Sequence, residues 1–249
     1  CRPARLSLEP WKHVHIAKQY EIKKCTKADH DTLLNLFKEF VKYEPIGKDL
    51  NMNWEDDFKT IAESYISLAL NSPAHLPCAY IAIHKETGKA VALRTMHPIY
   101  RDESKNPKAE ESKKPSEKAM IIHRILDDLT NRFWTEFPNE QACFHGDILF
   151  IDPAHRGKGL VDVFIEFDVD AEVMIKNGFN YAQYELTSMP AKMAARRFNV
   201  KIVANSPTFV VCDGKTIPLS DGPLAMGLHN YHDRGSFNAK PHWEKMGLL

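Results

Sequence analysis

Apolar residues at Leu33, Leu34, Phe37, Phe40 and Val41 recur at spacings of three and four, which predicts an amphipathic helix behind a cap at Asp29 or Asp31. Glu44-Pro45 should end it, because the residue before a proline is driven out of the helical region. Asn53 is placed to cap a second helix, with Phe58, Ile61, Ala62, Tyr65, Ile66 and Ala69 as its buried stripe and Ser72-Pro73 as its stop. Residues 78–84 and 90–96 read as two strands about the tight turn 85–89, and residues 20–26 as an earlier strand. From Glu117 to about Phe137 a long helix carries Ile121, Ile122, Ile125, Leu126, Leu129 and Phe133 along one face. Residues 144–151 read as a buried strand closed by Asp152-Pro153. A glycine-bearing turn, residues 155–159, then opens a helix from Leu160 to about Asn177. A strand over 179–186, a short helix over 188–198 and two last strands over 200–204 and 208–212 complete the pattern.

Strands and helices alternate with no mid-chain linker and no internal repeat, so one α/β domain over residues 19–212 is expected. Residues 1–18 read as an irregular leader. Residues 101–118 carry eleven charges and two prolines and read as a solvated loop insertion. Residues 213–249 read as a C-terminal tail. The 249 residues are 43% hydrophobic and 27% charged, which is ordinary for a globular protein. The 33 basic and 33 acidic residues cancel, so no bulk charge points to nucleic acid or an anionic membrane as partner. No apolar run approaches the ~20 residues of a membrane helix, and no secretory h-region stands near the start. Five cysteines (Cys1, Cys25, Cys78, Cys143, Cys212) are odd in number and scattered. They argue against a disulfide framework or a CxxC site and predict a reducing, cytoplasmic compartment.

The turn His155-Arg156-Gly157-Lys158-Gly159 carries the most chemistry. Two glycines let a ligand approach the backbone. The following helix aims unpaired N–H groups at the turn, and Arg156 and Lys158 add positive charge, a combination that suits a pyrophosphate. A Walker A loop fails because Gly157-Lys158 is followed by Gly159 rather than Ser or Thr. A Rossmann fingerprint fails because Asp162 stands where the third glycine is needed.

The string Leu149-Phe150-Ile151-Asp152-Pro153-Ala154-His155-Arg156-Gly157-Lys158-Gly159-Leu160 resembles motif A of the GNAT superfamily of N-acetyltransferases. Phe40-Val41-Lys42-Tyr43-Glu44-Pro45-Ile46 and Leu186-Thr187-Ser188 are similar to segments of its arylalkylamine branch. The resemblance implies a mixed central sheet with helices on both faces and acetyl-CoA as co-substrate, without a metal. It implies a small primary amine as the other substrate, an arylalkylamine in the first place. Acetyl-CoA would lie in a V-shaped splay between the strands ending near Ile151 and Leu186. Leu149 and Ile151 would bind the pantetheine amides through their backbone. Backbone N–H groups of Arg156, Gly157, Lys158, Gly159, Leu160 and Val161 would hold the pyrophosphate. A backbone N–H near Phe150 or Ile151 would polarise the acyl carbonyl. Glu44 would be the general base and Ser188 would protonate the leaving thiolate. Judged on position alone, Glu44 is equally a helix-end carboxylate and Ser188 a helix N-cap.

The chain departs from the family pattern at Val161, where Gly or Ala is usual, at Asp162, where a basic or neutral residue is usual, and at Pro190, Ala191 and Ala195. A non-catalytic binding protein of the same fold, or an acetyltransferase for another amine or a polyamine, therefore stand as alternatives. His229, His232, Asp233 and His242 imitate a metal cluster but lack a helical HExxH context, and no metal is expected from them.

Overall fold

The computed structural model describes residues 14–109, 114–167, 171–198 and 200–234. Helix α1 (Val14–Gln19) runs into strand β1 (Tyr20–Lys24). Residues 14–18 are therefore no loose leader: Ile16 is completely buried, and packs with the segment that follows the glycine turn. The rest of the expected leader lies outside the described residues. Helix α2 (His30–Phe40) follows Asp29, whose carboxylate does not cap it but accepts from Thr26 N at 2.9 Å and closes the preceding 3-10 turn. It tightens into a 3-10 turn at Val41–Tyr43, and Pro45 then opens the short helix α3 (Pro45–Asp49) from its first position, where its missing N–H is not needed. Asn53 Oδ1 accepts from Asp56 N at 2.9 Å, capping a π-turn (Trp54–Phe58) that continues as helix α4 (Lys59–Asn71).

Strands β2 (Ala79–His84) and β3 (Lys89–Tyr100) form the expected hairpin, although β3 runs four residues beyond the expected end. The charged segment that follows is held at its base, where Arg101 Nε donates to Glu140 O at 2.9 Å. Helix α5 (Glu117–Glu136) is capped by Ser116. Strand β4 (Ala142–Ile151) leads through the turn to α6 (Leu160–Phe167), followed by α7 (Ala171–Lys176), β5 (Tyr181–Leu186), α8 (Met189–Arg197) and β6 (Lys201–Asn205). Strands β7 (Phe209–Cys212) and β8 (Lys215–Pro218) form a separate two-stranded sheet among the described residues.

Beyond them, β9 (Ala225–Asn230) enters the main sheet, whose order is β1-β2-β3-β4-β5-β9-β6. Residues 225–230 of the segment expected to be a tail thus form an internal strand, antiparallel to both β5 and β6. Alternation along the strands divides the core in two. Ile81, Leu93 and Phe150 turn to the layer of α2, α4 and α5, while Tyr80, Ala82, Ala92 and Ile151 turn to α1 and α6. Helices thus cover both faces. The described cysteines (Cys25, Cys78, Cys143, Cys212) are free and buried. Among the described residues no helix is long and apolar enough to cross a membrane.

Candidate active site

Two features of the sheet make the site. Strands β4 and β5 are parallel neighbours and pair only at Phe144–Ala182, His145–Gln183 and Gly146–Tyr184, after which they part. At the same level, the register between β3 and β4 shifts, pairing Thr95 with Ile148 and Met96 with Gly146, so Asp147 is an extra residue in β4. The parted strands open a cleft of about 1120 Å³.

Backbone groups face into this cleft. Asp152 N donates to Val91 O at 2.8 Å, across to β3. Antiparallel pairing alternates, so Phe150 also turns its backbone to β3, and Leu149 and Ile151 turn theirs away from it, into the splay. The Ile151 carbonyl already accepts from Arg156 Nε at 3.0 Å. Arg156 also lies 5.0 Å from the centre of the Tyr43 ring, which stacks on Phe150 at 6.2 Å. Arg156 therefore braces the strand end through its side chain.

The turn then bends over glycines at φ +73° (Gly157) and +89° (Gly159), left-handed values that other residues rarely adopt. The first intrahelical bond of α6 is Val163 N to Gly159 O at 3.2 Å, which leaves the N–H groups of Leu160 and Val161 ahead of the ladder. His15 of α1 donates to Lys158 O at 3.1 Å, and a Cβ on Gly159 would meet Ile16 Cδ1 at 3.0 Å. The helix read as a leader is thus the back wall of the turn.

On the opposite side Glu44, at the N-terminal cap of α3, is 5% exposed. Its Oε2 accepts from Thr187 Oγ1 at 3.0 Å, and its Oε1 is buried without a hydrogen-bond partner. Burial is the largest effect on this carboxyl and pushes it up to about 7, against the opposing Thr187 hydrogen bond. Ser188 Oγ accepts from Ala191 N at 3.3 Å, so it caps α8, and Ser188 borders the cleft as well.

No protein-family profile matches the chain, and no curated protein matches it in sequence. Solved structures do. Arylalkylamine N-acetyltransferase 2 from Aedes aegypti superposes with a TM-score of 0.67 at 14% identity, over 85% of this chain and 99% of that one. A mosquito arylalkylamine N-acetyltransferase-like 5b gives 0.66 at 15% identity over the same shares. The Drosophila melanogaster polyamine N-acetyltransferase that forms N-acetylagmatine gives 0.63 at 14%, again over 85% and 99%. The chain has the GNAT fold.

Every residue singled out by its likeness to GNAT sequences borders the one cleft: Glu44, Leu149, Phe150, Ile151, Arg156, Gly157, Lys158, Gly159, Leu160, Val161 and Ser188. Two expectations change in detail. The Phe150 backbone is turned to β3 and cannot address an acyl oxygen, and the Arg156 side chain is occupied at the strand end. His229 is buried in β9, His232 Nε2 bonds Asn180 Oδ1 at 2.8 Å, and His242 lies outside the described residues. Sequence reasoning missed Thr187 as the partner of Glu44. It also missed a buried polar cluster of His97, His145, Asp147 and Glu185 at the point where the GNAT strands part.

Proposed function

We propose that the chain is an acetyl-CoA-dependent N-acetyltransferase that acts on a small primary amine, with Glu44 as general base. The Glu44 carboxyl carries the reading. It is buried, raised to about 7 and borders the cleft, and its Oε1 has no hydrogen-bond partner. A carboxyl with those properties is poised to take a proton from an alkylammonium near neutral pH, whereas an exposed one, near ~4.3, is too weak a base.

The cleft suits acetyl-CoA on two observations: outward-facing strand backbone at Leu149 and Ile151, and unladdered N–H groups at Leu160 and Val161 beside Gly157 and Gly159. These residues would hold the pantetheine amides and the pyrophosphate. When bound, acetyl-CoA supplies the activated acyl group. Glu44 takes the ammonium proton, directly or through water, and frees the nitrogen lone pair for attack on the thioester carbonyl. Backbone N–H groups of the splayed β4 edge steady the developing oxyanion. Ser188 gives its hydroxyl proton to the departing thiolate and regains one, through water, from the nitrogen that has attacked, which completes the exchange of a C–S for a C–N bond. Aromatic side chains line the cleft (Phe40, Phe58, Tyr65 and Tyr184 among them), which supports an arylalkylamine as the substrate.

Calorimetric titration with acetyl-CoA at two ionic strengths, followed by thiol-release assays with tyramine, dopamine, tryptamine and spermidine, tests this. Saturable one-to-one binding that weakens with salt, and turnover of an aromatic amine, are expected. No binding at millimolar acetyl-CoA overturns the reading in favour of a non-catalytic protein of this fold. Turnover of spermidine alone overturns the substrate class.

A further inference from the structure

At the vertex of the splay lies the one group of metal-ligating side chains found among the described residues. His97 and His145 are register partners across β3 and β4, with ring centres 5.0 Å apart. Asp147, the extra residue of β4, brings a carboxylate with no exposed surface between them. Its Oδ1 accepts from His97 Nδ1 at 2.7 Å and from His145 Nδ1 at 2.9 Å. Its Oδ2 is buried with no hydrogen-bond partner. The three donor groups offer ligand atoms that all lie within 4.8 Å of one another.

A second carboxylate stands behind. Glu185 Oε2 pairs with His145 Nε2 at 2.7 Å, and Glu185 Oε1 accepts from Gln183 Nε2 at 2.6 Å. Both ring nitrogens of His145 thus face carboxylates, so both carry protons and the ring is charged. Two carboxylates thus flank one imidazolium, and a bare carboxylate oxygen stands at the centre of the group.

We propose that His97 Nδ1, His145 Nδ1 and the Asp147 carboxylate form a site for one divalent transition-metal cation of the Zn²⁺ type. Two imidazoles and one carboxylate suit Zn²⁺ and its neighbours and disfavour Mg²⁺ and Ca²⁺, which demand oxygen. A tetrahedral Zn²⁺ with bonds near 2.0 Å holds its donors roughly 3.3 Å apart. The two hydrogen-bonded separations, 2.7 and 2.9 Å, need to open by about half an ångström, and the two imidazole nitrogens, within 4.8 Å of each other, need to settle to the same spacing. On binding, His145 releases its Nδ1 proton to water and keeps the Nε2 proton on Glu185. His97 moves its proton from Nδ1 to Nε2. The +2 cation then balances Asp147 and Glu185. The Glu185–His145 pair already has the form of the carboxylate–imidazole support found behind metal-bound histidines, and Gln183 steadies it in turn. Asp147 and Glu185 border the cleft, which gives the cation its way in. Once bound, it ties β3 to β4 and, through Glu185, to β5, where β4 and β5 separate.

The full chain, dialysed against chelator, is titrated with Co²⁺ and then Zn²⁺. One equivalent of Co²⁺ should give the visible absorption of a low-symmetry site, which Zn²⁺ bleaches. Long-range ¹H–¹⁵N spectra of the Zn²⁺-loaded chain should show His97 and His145 protonated at Nε2 and ligated through Nδ1. H97Q and D147N should abolish stoichiometric uptake, and E185Q should weaken it by roughly 10- to 100-fold. Circular dichroism establishes that each variant is folded. Absent uptake by the unmodified chain, uptake with unchanged imidazole tautomers, or equal affinity in H97Q and D147N would each overturn the site and leave a hydrogen-bonded imidazolium–carboxylate network only. Should the variants fail to fold, the tautomer measurement on the unmodified chain decides.

Discussion

Thr187 Oγ1 donates to Glu44 Oε2 at 3.0 Å, joining the cap of α3 to the end of β5 across 143 residues of sequence. The bond occupies one carboxylate oxygen and leaves the other, Oε1, buried without a hydrogen-bond partner. It also holds the carboxyl below the value that burial alone would give.

With Glu44 as the base, Glu44→Gln should lower kcat/KM by roughly 10²–10⁴, the usual worth of a general base. Steady-state assays with the best amine check this, and a loss under about threefold removes Glu44 from the chemistry. Thr187→Val should act differently. It removes a contact that favours the ionised form, so the acid limb of the pH–rate profile should move to higher pH with the plateau largely kept.

The same carboxyl links pH to stability. Its value in the folded chain, about 7, lies above the ~4.3 expected when unfolded. The folded state therefore holds the proton more tightly, and its contribution is fully present below about pH 4.3 and is lost as pH rises through about 7. Ionising the buried group costs about 3 kcal/mol at pH 8. Glu44→Gln keeps the neutral form at every pH, so its Tm should exceed that of the parent at pH 8 and match it near pH 4. Thermal melts at the two pH values test this, and equal differences at both would show that Glu44 does not titrate in that window.

The glycine turn makes a paired prediction. A Cβ at Gly159 meets Ile16 Cδ1 at 3.0 Å on a backbone at φ +89°, while the space around Gly157 is open. Gly159→Asp adds bulk, strain and negative charge and should remove measurable acetyl-CoA binding. Gly157→Ala adds strain alone and should cost the fold about 1 kcal/mol with a smaller loss of affinity. Calorimetry on both variants separates the two effects.

Asp162 Oδ2 lies 3.8 Å from where a Gly159 Cβ would stand, so this carboxylate faces the turn that would receive phosphates. Asp162→Lys should tighten acetyl-CoA binding several-fold at low salt, and the gain should shrink as salt screens it. Unchanged affinity would place the phosphates elsewhere.

Gly146 stands where the strands part, and a Cβ there would lie 2.5 Å from Tyr184 Cδ1. Gly146→Ala should push the Tyr184 ring into the cleft, lowering stability by about 1–3 kcal/mol as overpacking does and raising the amine KM. An unchanged KM would show that Tyr184 does not border the amine.

What could be read beforehand follows from distance along the chain. The strand, turn and helix around Arg156–Gly159 are contiguous, so their geometry is written locally and the motif shows it. Helix α2 and the hairpin of β2 and β3 are likewise local patterns of period and punctuation. Strand β9 escaped because it is covered on both faces: Ala225 to His229 are all buried, so no alternation marks it, and its composition is that of a loop. The Thr187–Glu44 bond and the meeting of His97 with Asp147 depend on register between remote segments. His145 and Asp147, two apart on a strand, announce a shared face but not what stands opposite. Helix α1 was missed because its anchor, Ile16 against the Gly159 turn, is a contact with a segment more than a hundred residues away.

The place of β9 has a consequence for how the protein is made. A nascent chain that has emerged from the ribosome as far as Cys212 holds β5 and β6 but not the strand that joins them. Until residues 225–230 arrive, both edges present unpaired backbone and Leu186 lacks its cover. The wall of the cleft that bears Thr187 and Ser188 can therefore settle only once residues 225–230 have been made. Over that interval both open edges are exposed to mispairing, and truncations before residue 225 should yield aggregates rather than a folded chain with a weakened cleft.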